Sequence, residues 1–324
     1  MYLPSLAELD AAAATVYGAM PATPQFSWPL LNAALGAQAW VKHENHTPTG
    51  AFKVRGGLVY LKALVGREPQ LAGIISATRG NHGLSLAYAA RRHGLSATIV
   101  VPRGNSVEKN AAMRALGAEL IEHGDDFQAA REHAQMLAAR GGLHMVPSFH
   151  PDLVAGVASG WLELLRAQPT LETVCVPIGQ GSGICAAIAA RRALGLERSL
   201  RIVGVVSSHA PAYLLSFQAR ASVEADVSTL IADGMACRVP DAQSLAMILE
   251  CVDDVVGVTD EEVAHAMRLY YKTTHNLAEG AGAAALAAAW KLKDGERVRG
   301  RTIGLPLTGA NVDADLFQRV LAGG

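Results

Sequence analysis

The sequence predicts an α/β fold, with parallel-rich open sheets covered by helices. Two observations carry that expectation. Short β-rich runs alternate with Ala- and Leu-rich helical stretches along the 324 residues, which is the pattern of repeated β-α units. Several of those runs are continuously apolar rather than alternating, as strands buried on both faces of a parallel sheet are.

In chain order the expected strands are Ala39–His43, Gly73–Ala77, Ala97–Val101, Glu119–Glu122, His144–Pro147, Thr173–Pro177, Ile202–Val206, Val255–Val258 and Thr302–Pro306. Between them the expected helices are His82–Arg92, Val107–Leu116, Asp126–Arg140, Leu153–Arg166, Asp260–His275 and Gly280–Lys293. No Pro/Ser-rich linker, low-complexity segment or internal repeat interrupts the pattern. The length suits one large or two medium domains joined without a loose tether.

Composition excludes several partners. Hydrophobic residues make up 50% of the chain, enough for a sizeable core, while aromatic residues are only 5%. That is too few for base-stacking platforms. A net charge of -1 without a basic run argues against nucleic acid or an anionic membrane as partner. No apolar run reaches membrane-spanning length, and Met1 to Asp10 does not read as a secretory leader. Cys175, Cys185, Cys237 and Cys251 lie in apolar surroundings without a C-x-x-C pair. They read as buried free thiols, which suits a reducing cytoplasm. The expected partner is a small molecule.

Three constellations carry chemistry. Thr49-Gly50-Ala51-Phe52-Lys53-Val54-Arg55-Gly56-Gly57 places a lysine at the mouth of a helix. Partial burial there lowers an amine's pKa, and a free amine can form a Schiff base with a carbonyl; a solvated loop lysine is the bland alternative. Ser76-Ala77-Thr78-Arg79-Gly80-Asn81-His82-Gly83 follows an apolar strand and opens a helix, so its backbone N–H groups form an anion site suited to a carboxylate. A turn chosen only for backbone geometry reads the same way.

The third, Val176-Pro177-Ile178-Gly179-Gln180-Gly181-Ser182-Gly183, is a glycine-rich strand-to-helix loop able to wrap a phosphate. It fails the dinucleotide pattern G-x-G-x-x-G, because position 184 is Ile184, and Arg201 rather than an acid lies about twenty residues on. A compact phosphate monoester fits it better than NAD or ATP, and a plain glycine turn is again the alternative. His43 and His46 are three apart, but Pro48 argues against a helix there and no metal is expected. There is no G-x-S-x-G elbow for serine hydrolysis.

Taken together, these segments resemble the fold-type II enzymes dependent on pyridoxal 5'-phosphate, and specifically the serine/threonine dehydratase branch. The resemblance runs nearly end to end: Thr23-Pro24, Lys42-x-Glu44-Asn45, Thr49 to Gly56, Gly80-Asn81-His82, Gly179 to Gly183, Ala232-Asp233-Gly234, Glu279-x-x-Gly282-Ala283 and Thr308 to Asp313 all match family blocks in order. It implies that pyridoxal phosphate sits in a cleft between a large domain, 1–69 with 150–324, and a smaller one, 70–149. Lys53 would hold the cofactor covalently and then, freed by substrate, move the Cα proton. Phe52 would pack beside the ring and Asn81 would hydrogen-bond its 3-oxygen. Gly179, Gln180, Gly181, Ser182 and Gly183 would hold the phosphate. Thr308 would face the pyridine nitrogen, and Thr78, Arg79, Gly80, Asn81 and His82 would bind the substrate.

The implied reaction removes water from a β-hydroxy amino acid, giving a 2-oxo acid and ammonia. A hydroxyl at Thr308 does not enforce a protonated pyridine as a carboxylate would, which favours elimination over transamination. Departures from the family pattern matter. Arg79 stands where racemases of the family carry a serine acid/base. Gln180 and Ser182 stand where glycines are usual, and Val206 replaces the family's metal-binding glutamate. Racemisation, β-replacement and a non-catalytic amino-acid binder are the rivals. The substrate could be threonine, serine, or a bulkier or acidic analogue such as phenylserine or hydroxyaspartate. Family analogy implies a homodimer.

Overall fold

The computed structural model describes residues 3–323, so Met1, Tyr2 and Gly324 lie outside the described residues. Helix α1 (Leu6–Tyr17) opens on a capping box, with the Ser5 hydroxyl accepting from the Glu8 amide and the Glu8 carboxylate from the Ser5 amide. The chain continues through β1 (Gln25–Ser27), α2 (Pro29–Leu35), β2 (Gln38–His43) and α3 (Lys53–Arg67). Then follow β3 (Gly73–Ala77), α4 (Asn81–Arg92), β4 (Ser96–Val101), α5 (Val107–Ala115), β5 (Glu119–Glu122), α6 (Phe127–Gly141) and β6 (His144–Met145). The remainder is α7 (Pro151–Ala167), β7 (Thr173–Pro177), α8 (Ser182–Ala193), β8 (Arg201–Ser207), α9 (Ala212–Ala219), α10 (Ala242–Cys251), β9 (Asp254–Val258), α11 (Asp260–Thr274), α12 (Gly280–Lys291), β10 (Thr302–Leu307) and α13 (Ala314–Ala322).

Two sheets result. One has the order β1-β2-β10-β7-β8-β9 and the other β5-β4-β3-β6. Every pairing is parallel except β1 with β2. The fold is therefore the expected parallel-rich α/β class. The continuous apolar runs sit where two-sided burial requires them: β3 is buried at all positions. On the larger sheet, α7, α8 and α10 cover one face. Helices α11 and α12 cover the other. The smaller sheet is covered by α3 and α4 on one side and α6 on the opposite side.

Several local expectations need correction. The strand expected over His144–Pro147 stops at Met145; Val146 still donates to the Ile75 carbonyl, but Pro147 has no N–H to extend the ladder. Strand β5 is an edge and is not buried on both faces. Glu44–His46 forms a single 3-10 turn within the segment read as strand and loop. Cys251 is half-buried, whereas Cys175, Cys185 and Cys237 are buried; all four are free thiols. Among the described residues no helix is long and apolar enough to cross a membrane.

Helices α3 and α7 approach so closely that their contact admits no side chain. A Cβ on Gly156 of α7 would overlap the backbone carbonyl of Arg55 on α3, and one on Gly56 would press on the Leu153 carbonyl. Both obstacles are backbone atoms, which cannot swing aside. Gly156→Ala is accordingly expected to lower stability by roughly 1–3 kcal/mol, read as a lower urea midpoint with an unchanged m-value.

Candidate active site

The larger sheet places β2, β10 and β7 side by side. The segments leaving their carboxyl ends therefore meet, as ligand-binding segments do in open α/β sheets. The Phe52 amide donates to the Thr308 carbonyl at 2.9 Å, and Ala51 bridges Gly309. These contacts set Lys53, the first residue of α3, beside the end of β10. Lys53, Phe52, Asn81, Gly179 to Gly183, Glu279 and Thr308 line one chamber. It adjoins a second space lined by Thr78, Arg79, Gly80, Asn81 and His82 with Lys53. All the residues singled out in the sequence are thus brought together.

Among the described residues nothing hydrogen-bonds or ion-pairs with the Lys53 amine, which lies 5.0 Å from the centroid of the Phe52 ring. Burial lowers its pKa to about 8, opposed by the Glu279 carboxylate. Its backbone is fixed by Ser85, whose hydroxyl donates to the Lys53 carbonyl at 2.7 Å.

Two residues on, Arg55 is fully buried. Its Nε donates to Glu44 at 2.7 Å and its Nη atoms to Glu163 at 2.7 and 2.9 Å, to Ser159 at 2.9 Å and to Thr23 at 3.1 Å. Lys42 donates at 2.5 Å to Glu163 Oε2, an oxygen it shares with Arg55. Two cations thus meet two carboxylates out of water. Burial works against the Glu163 charge, but Arg55 and Lys42 outweigh it and hold its carboxyl below the usual range. Burial lowers Lys42. Sequence reasoning noted Lys42, Glu44 and Arg55 as motif members but missed Glu163. The available signal was a glutamate within the apolar run of α7.

The Gly179–Gly183 loop forms a cradle. Among the described residues its backbone N–H groups donate to no acceptor, and α8 begins at Ser182. Gly181 sits at φ 97°, in the left-handed region. A Cβ on Gly179 would strike the Gly234 carbonyl. Gln180 is held from outside, its Nε2 lying 3.4 Å from the Cys237 sulfur. The amides of Arg79, Asn81 and His82 are likewise without acceptors among the described residues. His82 is buried and its pKa is lowered to about 3 by burial and by Lys53, so it is neutral; its Nε2 has no partner. The Thr308 hydroxyl lines the chamber and lies 3.3 Å from the Ala281 carbonyl, to which it donates; a hydroxyl hydrogen turns to suit its partner, so the same group can donate to a neutral ring nitrogen.

Asn81 is clamped at both ends of its amide. Nδ2 donates to Glu279 at 2.5 Å, and Oδ1 accepts from Asn311 at 2.8 Å. Glu279 also lies 3.3 Å from Lys109, which pairs with Asp233 at 2.7 Å. Lys109 escaped the sequence reading altogether, because its partners lie more than a hundred residues away.

This donor set fits pyridoxal phosphate: unpartnered amides at a helix start for the phosphate, a desolvated amine for the aldehyde, and an amide and a hydroxyl for the ring. Comparison with known proteins agrees. The family model described as pyridoxal-phosphate dependent enzyme matches residues 16–309. The chain is 30% identical over 293 residues to the L-threonine ammonia-lyase of Thermotoga maritima, covering 90% of this chain and 72% of that one. It is 32% identical over 324 residues to the L-threo-3-hydroxyaspartate ammonia-lyase of a Pseudomonas species, covering 100% of each. The crystal structure of a pyridoxal 5'-phosphate-dependent aspartate racemase superposes with a TM-score of 0.91 at 26% identity, over 97% of this chain and 98% of that one.

The Lys53 amine gives a pH prediction with a definite sign. Below about 8 it is protonated, so capture of pyridoxal phosphate by the apoprotein, followed by absorbance, should quicken about tenfold per pH unit up to that point and then level off. An unfolded lysine keeps its proton to about 10.5. The unfolded chain therefore binds more protons between the two values, and Lys53 adds to apoprotein stability as pH rises across that window. A Lys53→Met apoprotein should lack this rise in denaturant titrations.

Proposed function

Because the chain belongs to the pyridoxal-phosphate dependent enzymes, we propose that it is a dehydratase that converts a β-hydroxy amino acid to a 2-oxo acid and ammonia. The observation that carries this reading is the Lys53 amine, half-buried in the lining of the chamber, without a partner among the described residues and depressed to about 8 by desolvation. Pyridoxal phosphate, when bound, supplies an electron-withdrawing ring that acidifies the Cα–H of an attached amino acid.

The chain's own residues supply the rest. The Gly179–Gly183 amides hold the phosphate with the α8 dipole behind them. Phe52 closes one side of the ring. The Lys53 amine, near neutral in pKa, takes the Cα proton and suits general-base work at physiological pH. Thr308 presents a hydroxyl and no charge to the ring, so elimination of the β-hydroxyl is favoured. The free amides of Arg79, Asn81 and His82 in the Thr78–His82 turn receive the substrate carboxylate. Overall the Cα proton and the β-hydroxyl leave as water, and a water then hydrolyses the released enamine, through its imine, to the 2-oxo acid and ammonia.

Racemisation needs a second acid/base opposite Lys53. The likeness to the aspartate racemase supports that alternative at the level of fold. The residue at the position in question is Arg79, whose guanidinium does not give up a proton, so elimination is the stronger reading.

Arg79 also bears on the substrate. A cavity of about 820 Å³ continues outward past Arg79 and Gln180 and is lined further by Phe127, Arg131, Ser148 and Arg238. Among the described residues these three arginines have no ion-pair partner, and the Arg79 Nε is buried without an acceptor. The same cavity carries Asp126, Glu224, Asp226 and Asp241, so its space favours a side chain larger than that of serine, while a preference for an acidic one rests on Arg79, which lines the space beside Lys53, in keeping with the name of the hydroxyaspartate ammonia-lyase relative.

We propose 70–149 as the smaller domain, a span that contains the whole of the β5-β4-β3-β6 sheet, with α3 from the larger domain's share of the chain packed against it. A homodimer is proposed on family analogy, and a cytoplasmic location on the free thiols.

Two measurements test the reading. Lys53→Ala should cut 2-oxo acid release by about 10²–10⁴-fold or more; turnover at the wild-type rate would refute the assigned mechanism. In a panel of serine, threonine, phenylserine and threo-3-hydroxyaspartate, Arg79→Ala should lower kcat/KM most for the acidic substrate, by about 10–100-fold. Chiral analysis of residual serine separates elimination from racemisation.

A further inference from the structure

Lys109 lies in the first turn of α5 and is only 6% exposed. A lysine is rarely so buried unless it is paired. Its amine reaches out of the smaller sheet's segment to two carboxylates of the larger one, Asp233 at 2.7 Å and Glu279 at 3.3 Å. Its aliphatic stem lies under the turn that carries Asn81, since a Cβ on Gly80 would overlap the Lys109 Cδ. Nearby, the Ser106 hydroxyl donates to Asp313 at 2.5 Å and the Ala314 amide to Glu108 at 2.8 Å. The start of α5 is thus stapled to the other sheet's elements around Lys109.

The orientation of Asn81 follows from a chain of bonds. The Thr49 carbonyl accepts from Asn311 Nδ2 at 2.8 Å, which fixes that atom as nitrogen. The same Nδ2 donates to Asn81 Oδ1 at 2.8 Å. Asn81 Nδ2 must then face Glu279 Oε1, at 2.5 Å. An amide nitrogen has two N–H groups; one is given to Glu279, and Asn81 lines the cofactor chamber with the other still to place. The acceptor that holds this arrangement is a carboxyl group that burial, with Lys109 and Asn81 opposing and Asp233 adding to the push, raises above the ordinary carboxylate range. Burial also opposes the Lys109 charge, but Glu279 and Asp233 outweigh it and hold Lys109 charged. Lys53 is the other cation that senses Glu279.

We propose that Lys109 is a positioning residue for the cofactor: by its contact with the buried Glu279 it holds that carboxyl group in place as the acceptor for Asn81, and so aims the remaining Asn81 N–H at the bound ring. This rests on the placement of pyridoxal phosphate beside Asn81 argued above.

The test is a double-mutant cycle on the full chain with Lys109→Met, Glu279→Gln and both together. Three quantities are measured: the Kd of the apoprotein for pyridoxal phosphate, the absorption maximum of the bound cofactor, and the melting temperature. Each single variant is expected to weaken binding on the order of 10–100-fold, the range for losing an outer partner of a ligand-holding group, and to shift the absorption maximum in the same direction. With Glu279 already Gln, adding Lys109→Met should change Kd by no more than about 2–3-fold, because neighbouring residues that act through one link are not additive.

Additive losses, or a Lys109→Met protein that melts lower yet keeps the wild-type Kd and absorption maximum, would overturn the proposal in favour of a purely structural staple. If Lys109→Met alone does not fold, the double variant contains no unpaired Glu279 charge, and its comparison with Glu279→Gln decides the question on the same criterion. Failure of the wild-type chain itself to bind pyridoxal phosphate would instead refute the cofactor assignment, so the two failures are told apart.

Discussion

The buried contact of Arg55 with Glu44 and Glu163 is the constraint on which the rest of the molecule is assembled. It joins α3 to the turn after β2 and to α7, and Thr23 and Lys42 complete it from the segments around β1 and β2. Such a cluster gives little net stability compared with well-packed apolar residues, since desolvating four charges is costly. What it gives is uniqueness. Breaking one member leaves a buried charge uncompensated, which costs about 3–5 kcal/mol, so alternative packings of α3 are strongly disfavoured. Arg55 is two residues from Lys53, and fixing one fixes the other.

The second level of organisation comes from sheet order. Because β2, β10 and β7 are neighbours in space though far apart in sequence, segments near residues 53, 308 and 179 arrive at one place, strand neighbours being about 5 Å apart. Each brings a different chemical group: an amine, a hydroxyl and a row of backbone amides. The smaller sheet adds the Thr78–His82 turn from β3. No segment alone forms a site, and the common direction of the parallel strands is what collects them at one edge.

Much of this was legible in the sequence, and for identifiable reasons. Glycine-rich turns after apolar strands announce themselves because a turn's chemistry is local, and Lys53, Asn81 and the Gly179–Gly183 loop all belong to such turns. The strands of the parallel sheets were legible because burial on both faces leaves continuous apolar runs. What stayed hidden depends on distance along the chain. Glu163 reads as a surface glutamate until α7 is laid against α3, 108 residues from Arg55. Lys109 reads as a helix-surface lysine until Asp233 is brought to it across 124 residues. The start of a helix at Lys53 was legible, but not its extent or its neighbours: Gly56 and Gly57 lower helix propensity yet are what let α7 and α4 pack against it. Strand β1 is too short, at three residues, to show a period.

Helix α3 has one more property. Its first residue is Lys53, while Val54, Leu58, Leu61 and Leu64 along its length share one core with Ile74, Leu86 and Ile99 of the smaller sheet and its helix α4. The reactive amine is therefore the tip of a stiff rod whose shaft is embedded in the part of the molecule that carries the Thr78–His82 turn. The shaft is gripped on its other side by α7 through Arg55 and Gly56, so the residue that bears the amine sits on the one element wedged between the two halves of the molecule.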